Sequence, residues 1–175
     1  KINNAFKKTK IPNLYIIPSS MDLAVIEQEF ANIKSRERRF KKVLGELTKK
    51  FDYIIIDCPP SLGLLTINAL VAANNVLIPL QVEFYALEGL TQLMNTVKQI
   101  KNNFNRDIHL QGIVLTMYDK RNKISEMVAK DVKDFFKDKV YKTVIPRNVK
   151  ISEAPSHGLP ILMYDITCSG SQAYA

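Results

Sequence analysis

Asp52-Tyr53-Ile54-Ile55-Ile56-Asp57-Cys58-Pro59-Pro60-Ser61-Leu62-Gly63 is the stretch on which the fold turns. The apolar run 53–56, rich in β-branched isoleucine, has the length and composition of a strand buried on both faces, and such strands belong to parallel sheets. Pro59 and Pro60 stop it, because proline has no N–H for a ladder and fixes its own backbone. Asp57 stands at the mouth of the strand, between the apolar run and a rigid loop.

Outward from this segment the same pattern recurs. Residues 14–17 and 76–80 are further apolar runs, residues 113–116 a fourth, and 143–145 a shorter fifth. Between them, residues 22–34, 37–50, 64–73, 87–103 and 125–137 have helical spacing. Asp22 after Ser19 and Ser20, and Ser125 with Glu126, read as helix starts. Pro79 removes a ladder donor and fits best as the last residue of its strand. Alternating strands and helices predict an α/β fold: a mostly parallel, doubly wound sheet with helices on both faces.

The chain has 175 residues, 46% of them hydrophobic, which is enough for one core and too little for two ordinary domains. Residues 1–175 are therefore read as a single domain. Cys58 and Cys168 have no metal-ligand spacing and make no disulfide framework, so a reducing cytoplasm is the expected setting. No run approaches the roughly 20 apolar residues that cross a bilayer, and no membrane partner is expected. The net charge of +8 is distributed in blocks. Residues 1–50 carry 12 basic and 5 acidic groups, and residues 101–150 carry 12 and 6. Blocks of this kind suit a polyanion partner, or they are solvated helix faces.

In open α/β sheets ligands bind beyond the carboxyl ends of the strands. There Asp57 can serve a magnesium ion directly or through its water shell, since magnesium prefers oxygen donors and keeps several waters; it can equally cap the next turn. The other strand ends lead into Gln81-Val82-Glu83-Phe84-Tyr85, Met117-Tyr118-Asp119-Lys120-Arg121 and Pro146-Arg147-Asn148-Val149-Lys150.

Five ordered blocks make the sequence similar to a known family: residues 52–63, Leu65-Thr66-Ile67-Asn68-Ala69-Leu70, Pro79-Leu80-Gln81-Val82-Glu83-Phe84-Tyr85-Ala86-Leu87-Glu88-Gly89-Leu90, Gly112-Ile113-Val114-Leu115-Thr116-Met117-Tyr118-Asp119, and residues 145–158. They resemble the ParA/Soj chromosome- and plasmid-partitioning ATPases, P-loop NTPases with a deviant phosphate loop related to MinD. The resemblance implies that Asp57 organises magnesium and its waters and, with the loop of Pro59, Pro60 and Gly63, senses the γ-phosphate of ATP. It places Thr116, Met117, Pro146 and Arg147 around the adenine. It places Gln81, Glu83 and Glu88 near the face where two subunits sandwich two ATP molecules. It also implies an ATP-dependent homodimer that binds DNA non-specifically, is nucleoid-associated, and is released when a ParB-type partner stimulates hydrolysis.

No G-x-x-x-x-G-K-[ST] loop is present in residues 1–12, so the resemblance implies that the family's N-terminal strand and P-loop are missing and that the ending falls within its last helix. The chain is expected to be an incomplete domain, inactive alone, with exposed apolar surface where a central strand is lacking. Lys120, Arg121, Lys123 and Lys150 are the expected DNA phosphate contacts, with Arg121 and Lys150 foremost; ordinary solvation is the other reading of these charges. Two rival functions follow from the same residues. One is a non-enzymatic module that pairs with true ParA subunits and regulates them, and the other is a MinD-like positioning ATPase. His109 and His157 suggest no metal or nucleophile, and Cys58 reads as a small loop residue.

Overall fold

The computed structural model describes residues 5–59 and 61–175, the side chain of Ala24 excepted. Two compact units emerge, one comprising residues up to Asn74 with Thr96–Ile108, the other Asn75–Asn95 with His109–Ala175.

The second unit holds a parallel sheet in the order β3-β4-β5, with β3 at Asn75–Gln81, β4 at His109–Tyr118 and β5 at Val140–Pro146. Helix α4 (Ala86–Asn103) connects β3 to β4, and α5 (Lys123–Phe136) connects β4 to β5. A parallel pair requires such a crossover, because the chain must return to the end at which it started. Each strand is longer than its apolar run. β4 begins at an exposed His109 and β5 includes the exposed residues 141–143, so pairing extends the strands beyond the buried residues that betray them in the sequence. Pro79 lies inside β3 opposite Val114 rather than at its end. β3 is paired on one side only among the described residues, and a strand of that kind tolerates a proline.

The core of this unit is Ile78, Leu80 and Val82 beside Ile113 and Leu115, covered by Leu90 from α4 and by Val128, Ala129 and Val132 from α5. Ile113 and Leu115 are fully buried, and each contributes about 1.5–3 kcal/mol. Helix α5 starts earlier than residue 125: Asn122 is its N-cap, its side chain accepting the Ile124 N–H at 2.9 Å. Ser125 instead faces inward and donates its hydroxyl to the Val82 carbonyl at 3.3 Å. Gly112 is required by close approach, since a Cβ there would run into the Tyr141 ring and come within 3.2 Å of the Lys139 carbonyl.

In the first unit the expectations need correction. The run 53–56 forms no strand: Tyr53 and Ile55 are 88% and 92% exposed, because no neighbouring strand pairs with them among the described residues. Of residues 14–17, only Tyr15–Ile16 (β2) is a strand, antiparallel to Lys7–Lys8 (β1) and exposed. Both runs leave apolar side chains exposed, among them Leu14, Ile16, Tyr53 and Ile55. Residues 22–34 yield a 3-10 turn, Met21–Val25, and one turn of α1, Ile26–Glu29. Residues 37–50 yield a 3-10 turn, Arg36–Arg38, and α2, Arg39–Leu44. Ser20 makes no side-chain cap and donates to Asp22 instead, at 3.1 Å. Isolated helices this short have little intrinsic stability, and little apolar surface in these segments is buried to support longer ones.

Helix α3 (Leu64–Ala72) is the best-anchored element here. Its buried Asn68 accepts the Phe40 N–H at 3.1 Å and donates to the Arg36 carbonyl at 3.0 Å, fixing α2 against it. Asn105 donates to the carbonyls of Leu70 and Ala73 at 3.1 and 2.7 Å, closing the C-terminal end of α3.

Met117, near the end of β4, has a left-handed φ of +55°, which costs an L-residue roughly 1–2 kcal/mol. Met117→Val is expected to lower stability in urea unfolding by about 2 kcal/mol, because a β-branched residue fits that backbone worst, while Met117→Gly leaves it within about 0.5 kcal/mol. Equal losses would show that the backbone is unstrained. In the first unit, replacing Tyr53 and Ile55 together by Ser should reduce the fluorescence of an apolar dye without lowering the thermal midpoint, since neither side chain is buried.

Candidate functional site

The carboxyl ends of β3, β4 and β5 lie side by side, which brings together most of the residues expected at a ligand. Gln81 is in register with Thr116, and the Val82 N–H donates to the Thr116 carbonyl at 3.3 Å. Tyr118 is in register with Pro146, and its carbonyl accepts the Arg147 N–H at 2.9 Å. The Arg147 guanidinium reaches Glu83 at 4.0 Å. Thr116, Met117, Pro146 and Arg147 thus form one rim with Gln81 and Glu83, and the register between β4 and β5 slips between Leu115 and Tyr118, where Met117 turns left-handed. Such strain at a strand mouth is where chains commonly hold a ligand-facing backbone. Glu88 is exposed in the first turn of α4. Phe84 and Tyr85, which the sequence reading placed at this strand end without a role, stand 66% and 74% exposed with their rings edge to face at 5.1 Å.

Lys120, Arg121 and Lys123 follow β4 directly. Asp119 binds Arg121 through both of its oxygens: Nε donates to Oδ1 at 3.0 Å and an Nη to Oδ2 at 2.8 Å, while the Arg121 N–H also donates to Oδ1 at 3.0 Å. These bonds hold the Asp119 carboxyl at a pKa of about 2, with the Arg121 side-chain bond the largest cause. Its stabilising contribution is therefore complete above the ordinary carboxyl range and is lost progressively as pH falls from there through about 2.

Lys150 sits in the first turn of α6 (Val149–Glu153), which Asn148 caps by accepting the Lys150 N–H at 2.8 Å. Asn148 also donates to Ser169 at 3.0 Å, on α8 (Ser169–Tyr174). The Lys150 ammonium donates to Glu153 at 2.9 Å, and the same carboxylate oxygen accepts the Tyr164 hydroxyl at 3.1 Å from α7 (Ile161–Tyr164). The Glu153 bond raises the Lys150 pKa, and the Lys150 bond, followed by that of Tyr164, lowers that of Glu153.

A depression of about 770 Å³ opens beside this rim, lined by Lys120, Arg121 and Arg147 and also by Lys133 and Lys142. The last two were missed in the sequence. The available signal was Lys142 itself, a charge interrupting the apolar alternation of Val140 and Val144 along β5.

Asp57, Pro59 and Gly63 belong to the first unit. Asp57 and Pro59 are exposed, and the expected contribution of Pro60 lies outside the described residues. Gly63 is the N-cap of α3, and a Cβ on it would overlap the Glu27 carboxylate, which accepts the Leu64 N–H at 2.6 Å. Glu27 was likewise not foreseen; only the fold shows that an acid from α1 reaches the first turn of α3. The Thr66 hydroxyl donates to the Ser61 carbonyl at 2.6 Å and ties the loop to the helix. The Cys58 thiol is raised above its ordinary pKa, first by lost hydration although the residue is at the surface, then by the Asp57 charge, which makes it a poor nucleophile. Among the described residues no group of three or more His, Cys, Asp or Glu could hold a metal on its own. A lone exposed carboxylate nevertheless suits magnesium, which takes one or two protein carboxylates and completes its shell with water and phosphate.

A family model described as an AAA domain matches residues 1–110. The chromosome-partitioning ATPase Soj of Treponema pallidum is 51% identical over 173 residues, which cover 99% of this chain and 68% of that protein. The sporulation initiation inhibitor protein Soj of Bacillus subtilis is 53% identical over 168 residues, covering 96% and 66%. Among solved structures, the cobyrinic acid a,c-diamide synthase of Mycobacterium smegmatis, with a bound ATP analogue and magnesium, matches with a TM-score of 0.83 and 34% identity, over 98% of this chain and 63% of that one. The chain spans about two thirds of the length of the curated relatives it matches. With half of its residues shared across nearly its whole length, the chain belongs to the ParA/Soj family of chromosome-partitioning ATPases.

Proposed function

We propose that the protein is an ATP-driven partitioning switch. ATP and magnesium join two subunits, the dimer holds DNA without sequence preference at the nucleoid, and a ParB-type partner stimulates hydrolysis and release. The observation that carries this reading is the rim of the second unit, where a strained strand end and the Pro146-Arg147 loop adjoin a cluster of cations. An adenine needs flat apolar walls and backbone hydrogen bonds, which strand ends supply, and DNA needs phosphate-directed cations close by. The relatives' names support the partitioning role.

Each side chain then has a task. Asp57 supplies an oxygen donor for magnesium or its waters, and its position ahead of α3 couples that contact to the Pro59–Gly63 loop. Thr116, Met117, Pro146 and Arg147 line the base. Gln81, Glu83 and Glu88 are exposed and face the second subunit, with Phe84 and Tyr85 as its apolar anchors. Lys120, Arg121, Lys123 and Lys150 contact phosphates. When bound, magnesium neutralises charge on the phosphates of the nucleotide. No helix among the described residues is long and apolar enough to cross a membrane.

In the native protein, Asp57→Ala is expected to lower magnesium-dependent ATP turnover by about 100-fold while leaving the circular dichroism spectrum unchanged. Normal turnover would remove Asp57 from the metal site. Replacing Arg121 and Lys150 by Glu should weaken ATP-dependent DNA binding equally on unrelated duplexes and flatten the dependence of log affinity on log salt by about 2. An unchanged slope would move the DNA surface elsewhere.

A further inference from the structure

The cations assigned to DNA are not equivalent. Lys120 and Lys123 have no carboxylate within ion-pair distance among the described residues, whereas Arg121 and Lys150 each have one from their own segment. Asp119 occupies one full edge of the Arg121 guanidinium, although the arginine side chain is 88% exposed. Glu153 holds the Lys150 ammonium and is itself oriented by the Tyr164 hydroxyl. The Tyr164 ring lies 5.8 Å below the ammonium and is backed by His157, stacked at 4.9 Å. The two strongest candidates for phosphate contact are thus the two whose charge is cancelled locally.

We propose that Asp119 and Glu153 set the strength of the DNA surface: each competes with phosphate for its cation, so the rim binds DNA more weakly than its arginine and lysines alone would allow. The inference rests on the DNA reading above and adds to it residues that act against binding. Exposed ion pairs are weak in themselves, so phosphate can displace or share these cations, and the carboxylates attenuate binding without blocking it. A carboxylate left several ångströms from a bound phosphate repels it in high dielectric by an amount corresponding to about three-fold in affinity. The effect fades as the Debye length falls below that spacing. A surface tuned in this way keeps DNA release within reach of a modest change in subunit arrangement.

The test uses the native protein with ATP and magnesium on a short random-sequence duplex, titrated across about 0.05–0.2 M salt. Glu153→Gln keeps an acceptor for both Lys150 and the Tyr164 hydroxyl, whereas Asp119→Asn keeps one for the Arg121 N–H and Nε but gives up the Nη bond at Oδ2, so both variants remove the charge and Asp119→Asn also loosens the guanidinium. Each is expected to raise affinity about three-fold at the low-salt end, and the pair about ten-fold, with a salt slope steeper by up to about 0.9 per site. Asp134→Asn is the charge-matched control, since its carboxylate pairs with Lys130 along α5. The gain from Asp119→Asn should shrink in a background of Arg121→Gln, since competition for the cation is then removed and only the direct repulsion of phosphate remains. Unchanged or weaker binding in D119N and E153Q, or an equal gain in D134N, overturns the inference while the DNA reading stands. If the unaltered protein binds no DNA, or if charge reversal at Arg121 and Lys150 has no effect, the reading fails and takes the inference with it.

Discussion

The parallel pairing of β4 between β3 and β5 is the constraint from which the functional rim follows. Ile113 and Leu115 are excluded from water because strands flank them on both sides and α4 and α5 close over the core. Once those two residues are buried the register is fixed, since a slip of one residue would turn them outward. With the register set, the chain leaves all three strands at the same edge. Residues as far apart in sequence as Gln81, Thr116 and Pro146 become neighbours without any side-chain contact having to hold them together.

The register also explains why the rim is not regular. β4 and β5 are irregularly paired from Ile113 to Tyr118, and Met117 pays a left-handed backbone within that slip. Leu115 must stay buried, yet Tyr118 must meet Pro146 so that its carbonyl can accept the Arg147 N–H. A single left-handed residue reconciles the two demands. The strain therefore belongs to the geometry that presents the Pro146-Arg147 loop, and it is affordable because the buried core below it contributes far more than the backbone costs.

The second unit was largely legible in the sequence, whereas in the first only the helix expected over residues 64–73 was, as α3. Residues 76–80 and 113–116 announce strands because their partners lie within the same unit, so composition and structure agree. Residues 53–56 have the same composition, but a strand is a relation between two segments, and none of the described residues supplies the second. The helix starts were legible in kind and misplaced in detail: Asn122 rather than Ser125 caps α5, because the serine hydroxyl is drawn inward to Val82. Single positions such as Asp57 and Arg147 could be picked out since they directly follow apolar runs. Glu27 could not, because it reaches the start of α3 through a tertiary contact that leaves no local spacing in the chain.

Charge is the property for which sequence and structure diverge most usefully. Counted along the chain, residues 101–150 are strongly basic, and each lysine or arginine has equal weight in that count. In the fold they separate into kinds. Arg121 and Lys150 are locked to carboxylates two and three residues away, Lys130 is spent on Asp134 within α5, and Lys120 and Lys123 face solvent without an ion pair among the described residues. Short-range acids of this sort are invisible to a block sum because they contribute only one unit each, yet they sit at the distance where Coulomb energy is largest. The affinity of such a surface for a polyanion is then governed by how many cations are uncommitted at a given salt concentration, and net charge describes only the attraction felt beyond a Debye length.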